Sequence, residues 1–190
     1  CRNCCAMPHG PNSSCAPSVR GGARRRVGSW NIPTRPFQAG RSWQARSRAD
    51  VARLFIDSNV FLYAIGAPSP YRESCRAVLA AAGEGDLDAV TSSEVLQELL
   101  HVRSRRLGMA DATSAVRQAT ALVSDVLPVT SVDVLDACDL LEQLPLLQAR
   151  DALHVAVMRS AGITRLISID QGFDAVPGIE RVDPQRALVG

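Results

Sequence analysis

The sequence predicts an α/β fold in which a short, mainly parallel sheet of four to five strands is covered by helices on both faces. After about residue 53, short apolar runs typical of strands alternate with longer segments of helical periodicity. Hydrophobic residues make up 46% of the chain and aromatic residues only 4%, which indicates an aliphatic core. Strands joined through helices favour right-handed crossovers and therefore a parallel sheet.

Each predicted strand is a short apolar run that a polar or turn residue ends. We predict strands at 54–56, 89–91, 129–130, 166–169 and 180–182. Helices are predicted at 60–65, 72–85, 93–107, 111–127, 132–144 and 151–160. Ser92 or Ser93 is suited to cap the third helix and Asp111 the fourth, because short polar side chains accept from the free N–H groups of a helix start.

Charge and composition divide the chain into a tail, residues 1–52, and a folded domain, residues 53–190. Residues 1–53 carry ten arginines and one acid, a net charge of +9, whereas residues 54–190 carry eleven arginines and eighteen acids, a net charge of −7. The tail is rich in Gly, Pro, Ser and Arg without periodicity, so we expect it to be disordered. Its cysteines and His9 are spaced too irregularly to favour a zinc site.

The sequence also predicts a soluble, cytoplasmic protein. It has no run of eighteen apolar residues, which a membrane-spanning helix would need, and no continuous apolar segment typical of a secretory signal at its start. Cys75 and Cys138 lie on predicted helices with apolar neighbours, so we expect both to be buried free thiols, as is usual in a reducing compartment.

Four acidic residues lie at positions that a parallel sheet would bring close together. Asp57 and Asp170 each follow an apolar strand, and Glu98 and Asp151 lie on helices among apolar neighbours. Sites in such folds form at the carboxyl ends of the strands. Because a buried carboxylate needs a partner, convergent carboxylates favour a hard divalent cation such as Mg²⁺ or Mn²⁺, which can activate water against a phosphodiester.

Each acid also has a simpler interpretation when it is taken singly. Asp151 could be only a helix N-cap, Asp170 could end a strand in a turn, and Glu98 could lie on the rim of an amphipathic helix. Their joint placement on these elements favours a shared site.

Four short motifs resemble the successive signatures of PIN domains of the VapC type, the toxins of type II toxin–antitoxin systems. They are FIDSNV at 55–60, SEVLQEL at 93–99, ARDALH at 149–154 and ISIDQGFD at 167–174. The resemblance covers about residues 54–184, in order and with family-like spacing. It implies a three-layer α/β/α PIN-like fold.

The resemblance also implies an activity and a set of site residues. Asp57, Glu98, Asp151 and Asp170 would bind Mg²⁺ or Mn²⁺ and cleave single-stranded RNA, such as a loop of tRNA or ribosomal RNA. Supporting residues would be Ser58, Asn59 and Ser168, and Asp174 would be a fifth, water-mediated member of the metal site.

Arginines near the acids are candidates for RNA binding. Arg103, Arg105 and Arg106 follow Glu98 on the same helix, and Arg150 precedes Asp151. They could meet phosphates beside an otherwise repulsive acidic pocket. They could equally form solvated helix ends, which the helix dipole favours.

The resemblance to the VapC type implies partners as well as a substrate. The expected partners are a cognate VapB-type antitoxin, which would lay a C-terminal segment over the acidic groove, and a second copy of the chain in a homodimer. The apolar helices at 60–79 could supply such surfaces or belong to the core, and the sequence does not decide between these alternatives.

Three other functions would use some of the same residues. A catalytically degenerate PIN fold would only bind RNA or a partner. A di-metal redox protein would use the Glu98-x-x-His101 and Asp151-x-x-His154 pairs, but it requires a helical bundle. A phosphatase with an aspartyl nucleophile would carry a second aspartate at position 59, which is Asn59 here.

Overall fold

The computed structural model describes residues 53–188, so the predictions for the tail at 1–52 and its cysteine cluster lie outside the described residues. Within 53–188 the chain forms one parallel sheet with the strand order β3-β2-β1-β4-β5. The strands are β1 Leu54–Ile56, β2 Ala89–Ser92, β3 Asp125–Leu127, β4 Arg165–Ile167 and β5 Glu180–Val182. The predicted parallel sheet is therefore confirmed.

Helices connect these strands, and their ends follow local capping chemistry. They are α1 Ser58–Ile65, α2 Arg72–Glu84, α3 Ser93–Leu107, α4 Met109–Leu122, α5 Ser131–Gln143, α6 Ala149–Ser160 and a 3₁₀ helix Gln171–Ala175. Ser92 caps α3 by accepting from the Val95 N–H at 3.3 Å. Gly85 ends α2 with φ +86°, a left-handed conformation that glycine adopts without steric cost.

The strand order produces three layers. From β1 to β3 the chain moves toward one edge of the sheet, and from β3 to β4 it returns past β1 to the other side. Right-handed crossovers in opposite directions place their helices on opposite faces. The contacts agree, because α1, α2, α3 and α4 pack against one another while α5 packs against α6. The direction reverses between β1 and β4, where doubly wound folds form clefts.

The core is mainly aliphatic, as the composition predicts, with three fully buried phenylalanines at Phe55, Phe61 and Phe173. The apolar side chains of α1 and α2, including Val60, Val78 and Leu79, are fully buried in this core. Of the two alternatives for the helices at 60–79, the structure therefore supports the core.

Two predicted boundaries on the far side of the sheet are wrong. The strand predicted at 129–130 lies instead at Asp125–Leu127, inside the segment predicted to continue the fourth helix. Thr130 belongs to the start of α5, where it forms a capping box with Asp133. Asp111 does not cap α4; Gly108 holds that position, and Asp111 accepts from the guanidinium of Arg103.

The prediction of two buried thiols holds for Cys75 and is wrong for Cys138, which is exposed. The reason is that α5 packs through the narrow stripe Asp133, Ala137 and Leu140, and Cys138 lies outside it. The same helix exposes apolar side chains, with 60% of Val132 and 65% of Leu135 accessible to solvent. No helix in the described part of the chain is long and apolar enough to cross a membrane.

Candidate active site

Asp57 stands directly after β1 and is held in place by three donors. Its Oδ1 accepts from the Ser58 backbone N–H at 2.6 Å, which also caps α1. Its Oδ2 accepts from the Asn59 side-chain amide at 2.6 Å and from the Ser168 hydroxyl at 2.7 Å. Only 4% of the residue is exposed, so this carboxylate has a fixed orientation at the carboxyl end of the sheet.

Asn59 and Ser168 tie the start of α1 to the end of β4. The Asn59 amide also donates to the Ser168 hydroxyl oxygen at 2.9 Å, and its own oxygen accepts from the Ile169 N–H at 3.2 Å. The Ser168 oxygen in turn accepts from the Asp170 N–H at 3.0 Å. The network therefore links Asp57 to the backbone of Asp170, as expected if Asn59 and Ser168 support the acids.

Each of the other three acids lies on a different element facing the same sheet edge. Asp170 caps the 3₁₀ helix by accepting from the Gly172 N–H at 2.8 Å, so its turn-forming role is real. Asp151 is the third residue of α6 and not its cap, because Gln148 holds that position. Glu98 lies on α3 with 13% of its side chain exposed, which is too buried for the rim of the helix.

The charges of these acids act on one another. The pKa of Asp151 is raised from 3.8 to about 7, first by burial and then by the neighbouring carboxylates of Asp57, Asp170 and Glu98. Burial also raises the pKa of Asp57, although its hydrogen bonds with Ser168 and Ser58 oppose the rise. The three other acids at this edge of the sheet therefore disfavour the ionised form of Asp151.

His154 lies beneath this cluster but does not neutralise it. Its Nε2 is 3.8 Å from Asp57 Oδ1, its ring packs 5.8 Å from that of Phe55, and only 1% of the residue is exposed. Burial lowers the pKa of His154 from 6.5 to about 4, so the imidazole is neutral at pH 7. Its Nδ1 is buried without a hydrogen-bond partner in the described part of the chain.

Arg150 brings positive charge to the cluster from the first turn of α6. Its guanidinium forms an ion pair with Glu98 through Nη1 and approaches Glu94 at 3.8 Å through Nε. Because 48% of the Arg150 side chain is exposed, solvent screens part of this interaction. One arginine thus offsets only a part of the negative charge of the four acids.

The donor set fits a hard divalent cation in its chemistry. Mg²⁺ and Mn²⁺ prefer carboxylate oxygens, and a cation would remove the repulsion that raises the pKa of Asp151. Among residues 53–188, however, no three His, Cys, Asp or Glu side chains are arranged closely enough to hold one ion. Binding of one ion would therefore require rotation of acidic side chains, and Arg150 pairs with only one oxygen of Glu98, Oε1.

Comparison with known proteins identifies the family to which this fold belongs. A family model described as PIN domain matches residues 54–179, about two thirds of the chain. The chain belongs to the PIN domain family.

Relatives within this PIN family carry VapC names. Ribonuclease VapC13 of Mycobacterium tuberculosis is 41% identical over 132 residues, which cover 68% of this chain and 98% of VapC13. Ribonuclease VapC7 of the same organism is 36% identical over 138 residues, covering 70% of this chain and 93% of VapC7. The predicted membership of the VapC-type PIN domains is confirmed.

Solved structures confirm the PIN fold. VapC20 of Mycobacterium tuberculosis, described as a sarcin-ricin loop cleaving toxin, has a TM-score of 0.56 and 25% identity and covers 65% of this chain and 95% of its own. VapBC2 of Rickettsia felis, bound to a DNA fragment from its promoter, has a TM-score of 0.54 at 20% identity and covers 69% of this chain and 99% of its own. The second likeness concerns the fold alone.

The PIN fold excludes two of the alternatives. A di-metal redox protein of the four-helix type is wrong, because Asp57 follows β1, the central strand of a five-stranded parallel sheet, and His101 is exposed on α3. The phosphatase alternative fails at Asn59, whose amide donates to Asp57 and offers no acid or base.

One of the arginines predicted to meet RNA has another role in this PIN domain. Arg103 is buried and forms an ion pair with Asp111, with 2.6 Å between Nη2 and Oδ2, so it joins α3 to α4 and is not available to phosphates. That prediction is wrong for Arg103 because the helix turns its side chain toward α4. Arg105 and Arg106 are exposed in the last turn of α3, and Arg150 lies at the acids.

Asp174, predicted as a water-mediated member of the metal site, has a cationic partner instead. Both of its oxygens accept from Arg181, at 2.7 Å from Nε and 2.9 Å from Nη2. This pairing lowers the pKa of Asp174 and accounts for its charge without a metal ion.

Sequence reasoning missed two residues that shape the site. The buried Thr91 hydroxyl donates to the carbonyl of Ile56 at 2.9 Å and fixes the end of β1 just before Asp57. Arg181, on the closing strand β5, donates to the carbonyl of Ser168 at 3.1 Å. Thr91 is a polar residue inside a short apolar strand, which is an available signal, whereas Arg181, beside Glu180 in β5, carries no such signal.

Proposed function

We propose that the chain is a metal-dependent endoribonuclease that cleaves single-stranded regions of structured RNA, and that it is the toxin of a VapBC-type toxin–antitoxin pair. One observation carries the proposal. Asp57, Glu98, Asp151 and Asp170, from four separate elements of a PIN domain, act on one another at the carboxyl edge of the sheet. The RNA-cleaving activity is supported by the relatives named Ribonuclease VapC13 and Ribonuclease VapC7. The match to this chain covers 98% of the first and 93% of the second.

The four carboxylates divide into fixed and movable groups. The orientation of Asp57 is set by Ser58, Asn59 and Ser168, and that of Asp170 by the Gly172 N–H, so these two form the rigid part of the site. Asp151 and Glu98 lie on helices and would complete the ligand set. A bound Mg²⁺ or Mn²⁺ supplies a Lewis acid that activates water and neutralises charge on a phosphodiester.

Removal of divalent metal is the direct test of this activity. We expect the purified protein to cleave single-stranded RNA in Mg²⁺, to lose about 10³-fold or more in rate in excess EDTA, and to recover when Mn²⁺ is added, because a metal ion contributes several kcal/mol to such a reaction. Gel analysis of labelled RNA measures the rate. Full cleavage in EDTA would contradict the metal dependence. RNA binding without cleavage in any metal would support the degenerate PIN alternative.

The RNA target is proposed only as a class, namely unpaired loops in tRNA or ribosomal RNA. Unstacked bases in such loops can be splayed into a site, whereas paired bases in an A-form helix are difficult for side chains to reach. Sequencing new RNA 5′ ends after induced expression would identify the cleaved loop. New ends confined to duplex regions would contradict the class.

Exposed arginines beside the acids are proposed to hold the RNA backbone. The double variant Arg105→Ala, Arg106→Ala should weaken RNA binding and reduce the slope of log affinity against log salt by about 1.4, since each single-strand phosphate contact contributes about 0.7. Fluorescence anisotropy across a salt series in EDTA measures both quantities. Arg117→Ala, an exposed arginine on α4, is the control. An unchanged salt slope in the double variant would exclude these two arginines.

The proposed partners are a VapB-type antitoxin and a second copy of the chain. The acidic edge suits an antitoxin segment that carries an arginine, because Arg150 alone offsets only part of the negative charge there. Light scattering of the purified chain tests the homodimer. Titration with the cognate VapB-type antitoxin tests the complex, and we expect loss of RNA cleavage at one antitoxin per site. Continued cleavage at saturating antitoxin would contradict that part of the proposal.

A further inference from the structure

Arg181 is more enclosed and more connected than an arginine on an edge strand requires. Only 12% of its side chain is exposed, although β5 is the last strand of the sheet. The guanidinium donates twice to Asp174, at 2.7 and 2.9 Å, and a third time to the carbonyl of Ser168, at 3.1 Å. It thereby joins β5, the 3₁₀ helix and the end of β4 at one point.

Ser168 links Arg181 to Asp57, because its carbonyl accepts from Arg181 and its hydroxyl donates to Asp57. Ser168 donates from Oγ to Asp57 at 2.7 Å, and the same oxygen accepts from the Asp170 N–H at 3.0 Å. The N–H of Ser168 donates to the Val182 carbonyl at 3.2 Å, so β5 fixes both sides of this peptide segment. The pKa of the Arg181 guanidinium is raised, first by the hydrogen bond with Asp174 and to a smaller degree by the negative charge of Asp170.

We propose that Arg181 is a positioning residue for the metal-binding carboxylates, and that Asp174 acts through Arg181 and is not a metal ligand. In this inference Arg181 orients Ser168, and Ser168 in turn orients Asp57 and Asp170 toward one cation. The inference therefore rests on the proposed function. Residues that orient metal ligands typically change metal affinity or activity by about 10- to 100-fold when they are removed.

Arg165 offers a matched control on the neighbouring strand. It also makes a two-bonded pair across the β4–β5 interface, with Glu180, at 3.1 and 3.3 Å. Its pair lies at the amino ends of these parallel strands, opposite the edge that carries the acids. Arg165→Gln therefore removes a two-bonded arginine–carboxylate pair that involves β5, as Arg181→Gln does, but without touching Ser168.

The test measures Mn²⁺ binding by calorimetry without RNA, and the Mn²⁺ concentration that gives half-maximal cleavage. We expect Arg181→Gln to weaken both by about 10-fold or more, Arg181→Lys to weaken them less because it keeps the charge but loses the forked geometry, and Arg165→Gln to change neither. Thermal unfolding checks that each variant is folded, and Arg181→Lys serves if Arg181→Gln is not.

A double-mutant cycle tests the role of Asp174. If Asp174 acts only through Arg181, the variant Arg181→Gln, Asp174→Asn should bind Mn²⁺ as weakly as Arg181→Gln alone. Additive losses would make Asp174 an independent ligand and overturn that part of the inference. Wild-type Mn²⁺ affinity in Arg181→Gln, with the wild-type protein active, would overturn the positioning role alone. Absence of Mn²⁺ binding and cleavage in the wild type would overturn the proposed function, and this inference with it.

Discussion

Asp57→Asn is expected to reduce RNA cleavage by about 10³-fold or more while the protein stays folded, because a metal site of this kind contributes several kcal/mol to catalysis. Asparagine has the shape of aspartate but carries no charge, and its amide nitrogen cannot bind a cation. The residue is 4% exposed, and its carboxylate is oriented by Ser58, Asn59 and Ser168. Cleavage rates at saturating Mg²⁺ measure the loss.

The fold should tolerate this replacement for a local reason. Burial already raises the pKa of Asp57, which means that its negative charge is unfavourable in the metal-free protein. The oxygen of an asparagine can still accept from Ser58, and Asn59 keeps Ser168 as a second acceptor. The N–H₂ that replaces Oδ2 would face the donors of Asn59 and Ser168, and the removal of a buried charge offsets part of that cost. We expect the free energy of unfolding to fall by about 1–2 kcal/mol or less, as measured by urea titration in EDTA.

Asp125→Asn is the control for this experiment, since Asp125 is exposed on β3 and pairs with Arg53 at 3.0 Å. It should cleave RNA at the wild-type rate. If folded Asp57→Asn cleaves within about fivefold of the wild type, Asp57 is not a metal ligand, and the assigned acidic site cannot account for an effect expected to cost several kcal/mol.

The acids could be predicted from the sequence because their signal is local. Asp57 and Asp170 each follow an apolar run that ends abruptly, and parallel strands present such positions at one edge. Glu98 and Asp151 stood out as charges among apolar neighbours on helices, where an unpaired carboxylate is costly. Their meeting at one edge follows from the strand order, with β1 between β2 and β4.

The partners of the arginines could not be predicted in the same way, because pairing depends on contacts across the fold. Arg103 resembled its exposed neighbours Arg105 and Arg106 in sequence, yet it turns toward α4 and pairs with Asp111. Arg181 gave no sign of its contact with Ser168, since the two residues meet only when β5 lies beside β4. A local sequence pattern places a residue on a helix or strand, but it does not show which other element the side chain contacts.

The strand β3 was misplaced for a related reason. Its residues Asp125–Leu127 include an exposed acid, so they lack the apolar run that marks the other strands. An edge strand needs to bury only one side against its neighbour, and here the burial falls mainly on Leu127. Helical periodicity in α4 runs directly into this segment, and sequence pattern alone does not show where the helix stops.

Asp151→Asn and Asp133→Asn should change the stability of the metal-free protein in opposite directions, although both residues are the third of a helix. The pKa of Asp151 is raised to about 7 by burial and by the nearby acids. The pKa of Asp133 is lowered, first by the hydrogen bond from Ser160 and then by those from Thr130. If helix position alone mattered, the two substitutions would change the free energy of unfolding equally. The difference between them therefore measures the effect of the groups around each carboxylate.

The sign for Asp151 follows from linkage. Because its pKa in the folded protein lies above the unfolded value of 3.8, ionisation costs stability, and the cost grows as pH rises from about 4 to about 7. In EDTA at pH 8, Asp151→Asn should therefore raise the free energy of unfolding by about 1–2 kcal/mol, after allowance for solvent screening of a partly exposed group. The gain should shrink as the pH falls toward 4, and RNA cleavage should be lost at every pH.

The sign for Asp133 is the reverse. The Asp133 carboxylate accepts from the Ser160 hydroxyl at 2.6 Å and from the N–H and hydroxyl of Thr130, each at 2.7 Å. Because these bonds lower its pKa, the ionised form stabilises the fold above pH 3.8. That stabilisation is lost as the pH falls below 3.8. Asparagine presents an N–H₂ to one of these donors, which should cost about 1–2 kcal/mol at pH 8 with cleavage retained. Urea titrations of both variants in EDTA, with RNA cleavage measured separately in Mg²⁺, compare the two residues directly. Equal destabilisation by both would mean that the acids around Asp151 do not repel it, and the electrostatic basis for a cation at that edge would be removed.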